Sequence, residues 1–417
     1  MTTYRLFIKN IKELVLVCKN HEKMLIGKAM DNVETIKNAS IIVDNNGRIF
    51  DLGDASEMEK KYESATFETI IDATDKIVLP GFIDAHTHPV FSGDRCHEFA
   101  MKVRGATYME IHEAGGGIHF TVDHTKQSSE EELYKLFESR LKRMIAQGTT
   151  CVECKSGYGL DTENEIKMLR VITKAAREHK IGIVSTFLGA HSVPKGKTPE
   201  EGYKAIIEDM IPKIAQLRDQ GELQVDFIDG FCESGVYDVE KMQGILEKGK
   251  EYGMKLCFHA DELSPLHGAE MGAKLGVINM SHLEEITDQG IEDMAIYILR
   301  VSPPPARKMI EKNVPVAIAS DYNPNAHCLS MPYIMSCACV SLRLTLNEAL
   351  VAATINAAAA IDVSDQYGSI EIGKHGDFVL LDAPDWQHII YEFADPQIEA
   401  VFKDGELIYK QQSAVSF

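Results

Sequence analysis

IVLPGFIDAHTHPVFSGDR, residues 77–95, runs as an apolar strand that ends on two histidines, His86 and His88. Side chains alternate across a strand, so residues at i and i+2 face the same side and both imidazoles are offered to one ligand. A lone His-x-His carries little weight. Downstream of it, however, strand-like apolar runs alternate with amphipathic helical stretches: EEELYKLFESRLKRMIAQG precedes TTCVECK, and ENEIKMLRVITKAAREHK precedes IGIVSTFLGAH. Repeated helix and strand units imply a parallel sheet, and this many favour an α/β fold of the (β/α)8 TIM-like barrel type, whose chemistry sits at the C-terminal ends of its strands. His86 and His88 stand where the first barrel strand ends.

The other predicted strand ends supply more of the same chemistry: His191, then His259 with Asp261 and Glu262, then His282, then Asp321. Taken singly, each is ordinarily a capped turn or a satisfied core residue. Together at successive strand ends they describe a shell. Three imidazoles and a carboxylate suit one borderline ion such as zinc, or iron, better than calcium or magnesium. Such an ion activates water and polarises an amide-like carbonyl, so hydrolysis of a C–N bond is the expected chemistry, with Asp321 a candidate to receive the proton.

Outward from the barrel, residues 1–78 read as short strands and turns, with a hairpin in ASIIVDNNGRIFDLG. Residues 366–417 return to the same pattern and place a second hairpin around Asp404 and Gly405. Neither end has enough strands to bury a face alone, so both are expected to build one small β-sandwich beside a barrel spanning 79–365. The 45% hydrophobic and 25% charged content is that of a folded soluble protein, and the formal charge of −20 disfavours nucleic acid and anionic membranes. No apolar run is long enough for a membrane helix, and nine scattered cysteines point to reduced thiols and a cytoplasmic setting. Cys151 and Cys154 form a C-x-x-C inside a predicted strand with no second pair nearby, and are read as buried structural residues.

PGFIDAHTH, the His of LCFHADE, the SH of MSHLEE and the Asp of ASDYNP resemble, in chain order, the signatures of the amidohydrolase superfamily. The stretch VDFIDGFCE lacks the lysine that bridges two metals in binuclear branches, which favours a mononuclear site. Within the superfamily, EAGGGIH (113–119) and ECKSGYGLD (153–161) are similar to loops of the imidazolonepropionases, the animal type most closely. The resemblance implies His86, His88, His259 and Asp321 as metal ligands. It implies Arg95, Tyr158, His191, Glu262 and Asn323 at the substrate, and Glu262, His282 and Asp321 as the groups that move protons, without deciding which is the base; Asn325, which departs from the family pattern, is expected to reach the ligand through its amide. The implied reaction opens the ring of 4-imidazolone-5-propanoate, a small-molecule substrate, and a homodimer is the family expectation. Arg95 offers a planar, permanently charged fork to the substrate carboxylate.

Two features depart from that pattern. Only 39 positions separate His282 from Asp321 (321 minus 282), whereas the single unit from His259 to His282 takes 23 (282 minus 259), so the seventh unit is expected to be short. Its strand is sought in AIYILRVS (295–302), followed by Pro303, Pro304 and Pro305. Second, Asn325 and Ala326 stand where many bacterial relatives have a Gly-Ser pair. Two competing readings follow: a deaminase of a heterocyclic base, which uses a similar Glu after the third His but has no evident use for Arg95, and a barrel that keeps the residues but is impaired by its short unit.

Overall fold

A computed structural model describes residues 3–105, 116–287 and 304–411. Among these residues two sheets organise the chain. Strands β1 (Thr3–Val17), β2 (Glu34–Val43), β3 (Ile49–Asp54), β4 (Thr66–Asp72) and β5 (Ile77–Pro80) come from the start, and β12 (Phe378–Leu381), β13 (Ile398–Lys403) and β14 (Glu406–Lys410) from the end. They form one eight-stranded mixed sheet in the order β14-β13-β12-β5-β1-β2-β3, with β4 also paired to β1. Both predicted hairpins are present as the antiparallel pairs β2/β3 and β13/β14.

The layer expected as a sandwich is thus a single hydrogen-bonded sheet with an apolar cluster on one face. Leu6 and Ile8 of β1, Phe378 and Leu380 of β12, and Ala400 and Phe402 of β13 share one cluster. The alternate residues Ile77, Leu79, Val379, Leu381 and Val401 belong to the core of the other layer. Period-two alternation therefore glues the end sheet to the barrel.

The second sheet is parallel throughout: β6 (Phe82–Asp84), β7 (Thr149–Lys155), β8 (Gly182–Ala190), β9 (Phe227–Cys232), β10 (Lys255–Ala260) and β11 (Asn279–His282). Helices on its outside bury one face each; the helix Glu130–Ala146, opened by a Ser129/Glu132 capping box, packs Leu133, Phe137, Leu141 and Met144 inward. Inside, Ile83, Cys151, Val184, Phe227, Cys257 and Ala317 fill the barrel, with Ala357 and Ala358 among them. Cys151 is one of these floor residues and Cys154 packs outward; both are buried and unpaired, as the strand reading expects.

On the free side of β6 the run Val314–Asp321 takes the eighth position without a regular ladder. Ser320 donates to the Asp84 carboxylate from its N–H (2.9 Å) and its hydroxyl (2.5 Å), and His88 N–H donates to Tyr322 O at 2.8 Å. AIYILRVS and Pro303 lie outside the described residues, so the expected seventh strand does too; among the described residues no strand intervenes between β11 and this run.

The crossing between layers falls at Gly81. Ile77–Pro80 pairs with β12 in the end sheet and Phe82 begins the barrel. A Cβ at Gly81 would stand 2.2 Å from Thr150 Oγ1, so only glycine lets the chain pass so close to β7.

Candidate active site

At the C-terminal mouth of the barrel the rings of His86, His88, His259 and His282 and the Asp321 carboxylate converge. His86 Nε2 lies 3.2 Å from His88 Nε2, and His88 Nε2 lies 3.4 Å from His259 Nε2. Asp321 Oδ1 is 3.6 Å from His86 Nε2 and 3.5 Å from His88 Nε2. Ligand atoms of His86, His88 and Asp321 form one tight group, and those of His86, His259 and His282 another.

These facing nitrogens are a group that could hold a cation. Burial keeps His86 and His88 well below the usual imidazole range, and burial outweighs Asp229 to hold His259 down at about 4, so all three rings are neutral. His259 Nδ1 meets Asp229 Oδ1 at 2.9 Å, a neutral ring's N–H donating to a carboxylate that burial opposes but His259 and Lys155 keep ionised. His86 Nδ1 is engaged by Ser281 Oγ at 2.7 Å. The Nε2 lone pair of His259 consequently points at its neighbours, an arrangement that repels when empty and fits a borderline divalent ion. Burial raises Asp321 to about 7; a cation held in the shell would oppose that and favour the ionised carboxylate.

The backbone is bent to present these groups. Asp261 (φ +46°), His282 (φ +77°), Leu283 (φ +70°) and Asp321 (φ +44°) all occupy the left-handed region at strand ends, where non-glycine residues are uncommon and strain marks function. Asp261, a shell candidate in the sequence, turns away: its carboxylate accepts from the N–H groups of Leu266 (2.9 Å), Gly268 (3.0 Å) and Ala269 (2.9 Å). Its sharp turn sends Glu262 into the cavity, and Glu233 holds the next residue by accepting from Leu263 N–H at 2.9 Å.

Beside the shell a cavity of about 150 Å³ is lined by Arg95, Tyr158, His191, Glu262, His282, Asp321, Asn323 and Asn325, with His88, Ile118, Phe231 and His259. All the residues expected at the substrate thus border one space. Glu262 Oε2 stands 3.6 Å from His282 Nε2. Burial pushes Glu262 up; it opposes charge on His282, but Glu262, Glu284 and Asp321 outweigh it and push His282 up to about 9. Asn323 is spent locally, its amide donating to Asp321 O (2.7 Å) and Oδ2 (3.1 Å) while its own oxygen accepts from Asn325 N–H. Asn325 is exposed at the rim and accepts from Lys102 Nζ at 3.2 Å.

The SGYGL loop is built from beneath by Glu165, which the sequence reading passed over. Its buried carboxylate accepts from Gly157, Gly159 and Leu160 N–H at 2.9, 2.7 and 2.8 Å. Gly157 has φ +109°, and a Cβ at Gly159 would sit 2.5 Å from Glu165 N. Tyr158 is thereby held in the cavity wall. His191 joins it, its Nδ1 donating to Gly157 O at 3.0 Å and its ring stacked 4.9 Å from His88. Glu113, Ala114 and Gly115 of the other loop lie outside the described residues. Glu98 too was missed: it grips Arg95, and like Glu165 it looks in sequence like any acidic residue in the first turn of a helix.

A sequence profile of the amidohydrolase family matches residues 77–408. A zebrafish (Danio rerio) protein named as a probable imidazolonepropionase is 49% identical, over 99% of both chains. One of the same name from Dictyostelium discoideum is 50% identical, over 98% of this chain and 99% of its own. In structure, guanine deaminase of E. coli superimposes with a TM-score of 0.68 at 14% identity, covering 97% of this chain and 99% of its own, a likeness of fold alone.

Proposed function

The chain belongs to the amidohydrolase family and within it to the imidazolonepropionases, and on that premise we propose how its residues open the ring of 4-imidazolone-5-propanoate to N-formimino-L-glutamate in histidine degradation. His86, His88, His259 and Asp321 would hold a single zinc or iron ion. When bound, such an ion supplies Lewis-acid activation of water and of the ring carbonyl. Arg95 would take the carboxylate arm of the substrate, and Tyr158 and His191 would bound the ring. Asn325, at the rim, would reach the polar end of the substrate or product.

Hydrolysis adds hydroxide to the carbonyl carbon and a proton to the departing ring nitrogen. Glu262, His282 and Asp321 border the same cavity, and the 3.6 Å Glu262–His282 spacing suits a proton passed from water to the ring nitrogen. Asn323 orients Asp321 through its two hydrogen bonds. The observation that carries this reading is the placing of a buried Arg95 in one cavity with the histidine shell. A neutral base offers no carboxylate to the guanidinium edge that Glu98 leaves free.

The short span between His282 and Asp321 is compatible with activity, because the residues on either side of it reach the same cavity. A division into 1–78 with 366–417 against a barrel at 79–365 is part of the proposal and is supported by the sheet drawn from both ends. So is a cytoplasmic setting, supported by nine unpaired cysteines. The homodimer rests on the resemblance. Following the loss of imidazolone propionate absorbance on adding purified protein, beside a His259→Ala control and a metal assay, tests the whole: turnover lost in the control is expected, and no turnover with metal bound would reject this substrate.

A further inference from the structure

Beneath the histidines, the inward faces of two barrel strands, β7 and β9, carry charge where apolar residues are the rule. Lys155, 2% exposed, places Nζ 2.8 Å from Glu153 Oε1 and 2.7 Å from Asp229 Oδ2. Each carboxylate then reaches a different arm of the shell. Glu153 Oε2 accepts from Thr87 N–H at 3.1 Å, and Glu153 O accepts from Thr87 Oγ1 at 2.6 Å. Thr87 lies between His86 and His88, and its own carbonyl accepts from Lys155 N–H at 3.0 Å. On the other side, Asp229 Oδ1 meets His259 Nδ1 at 2.9 Å. The path Thr87–Glu153–Lys155–Asp229–His259 is continuous, buried and crosses β6, β7, β9 and β10.

We propose that Lys155 is a positioning residue for the metal shell, the hub of a buried clamp that fixes the His86–Thr87–His88 segment relative to the His259 ring. Two buried carboxylates on β7 and β9, with β8 between those strands, would repel; the ammonium between them turns repulsion into a tie of fixed length. Removing it frees Asp229 to swing and leaves Glu153 to reorganise around Thr87, so the ligand nitrogens lose their mutual spacing even though every ligand remains. Groups of this kind behind a ligand ordinarily change metal affinity by about 10–100-fold. Residues elsewhere in the barrel floor, such as Cys151 and Phe227, have no such path to the shell.

The proposal rests on the mononuclear metal reading, and cobalt(II) separates the two. Full-length protein is stripped, titrated with cobalt(II) against a competing chelator, and followed by its visible absorption and by thermal melting. Lys155→Met is expected to bind cobalt about 10–100-fold more weakly, with an altered visible band. Wild-type affinity and band in a Lys155→Met protein that only melts earlier would overturn the clamp and leave Lys155 a packing residue. Should Lys155→Met fail to fold, Glu153→Gln is read in its place: about tenfold weaker binding is expected, and unchanged affinity overturns the proposal. Failure of the wild-type chain itself to bind cobalt would instead reject the metal reading.

Discussion

Glu98 holds Arg95 with both carboxylate oxygens, Nε donating to Oε1 at 2.9 Å and Nη2 to Oε2 at 2.6 Å, and both side chains are buried at the cavity wall. One edge of the guanidinium fork is thereby fixed, and what remains is aimed at the space beside the histidines. Arg95→Ala is expected to raise KM about 10- to 100-fold, the loss of a charge-assisted hydrogen bond of about 1.5–3 kcal/mol. Inhibitors that keep the ring but lack the carboxylate arm should bind the variant and the parent alike; an equal loss for both would remove Arg95 from the arm.

The same pair gives stability a pH dependence. Burial opposes the Glu98 charge, but Arg95 and Gly117 N–H outweigh it and hold the carboxyl below its ordinary range. A depressed folded value means that the stabilisation is complete above the unfolded value, near pH 4.3, and disappears as pH falls through the lower folded one. Unfolding free energies from urea titrations of the parent and Glu98→Gln should therefore differ at pH 7 by about 1.5–3 kcal/mol and converge as pH falls below about 4. A constant gap across that range would show that the charge is not the cause.

Gly159→Ala tests the loop under Tyr158. Its new Cβ would meet Glu165 N at 2.5 Å, a backbone atom that cannot step aside. Displacing Tyr158 by about 1 Å is expected to cost roughly 100-fold in kcat/KM. Melting temperature and kcat/KM measured together separate the outcomes: loss of rate with the fold intact is expected, whereas an unchanged rate would place Tyr158 outside the reaction.

Chelator treatment should lower the melting temperature, since an ion that binds only the folded chain stabilises it by about 2.7 kcal/mol at a hundred times its dissociation constant. His259→Ala, already short of one ligand, should show little further change. A melting temperature indifferent to chelator in the parent would argue against a resident ion.

The histidine shell was legible because strand periodicity and barrel topology place His86, His88, His259, His282 and Asp321 at equivalent strand ends. The supporting charges were not. TTCVECK is buried on both faces, so apolar alternation does not reveal that Glu153 and Lys155 point inward while Cys154 points out. Asp229 was likewise hidden inside an apolar strand. Glu98 and Glu165 occupy early helical turns, where acidic residues are commonplace, and only the folded chain joins them to Arg95 and to the glycine loop. Asp261 erred the other way: it stands at a strand end like a ligand, but its left-handed backbone turns the carboxylate onto loop N–H groups.

The pairing of β5 with β12 has a consequence for how the chain is made. Val78 and Leu380 are partners in the end sheet, and four residues after β5 begins at Ile77 the same stretch passes Gly81 into the barrel and on to His86. About 300 residues must leave the ribosome after β5 before its partner emerges, which at 5–20 residues per second is roughly 15–60 s. Throughout that interval the anchor of the first two histidines has an unfilled edge. Biosynthesis of this enzyme therefore includes a vulnerable period set by topology, and nascent chains arrested before Phe378 should be captured by chaperones more readily than chains arrested just after Leu381 has cleared the exit tunnel.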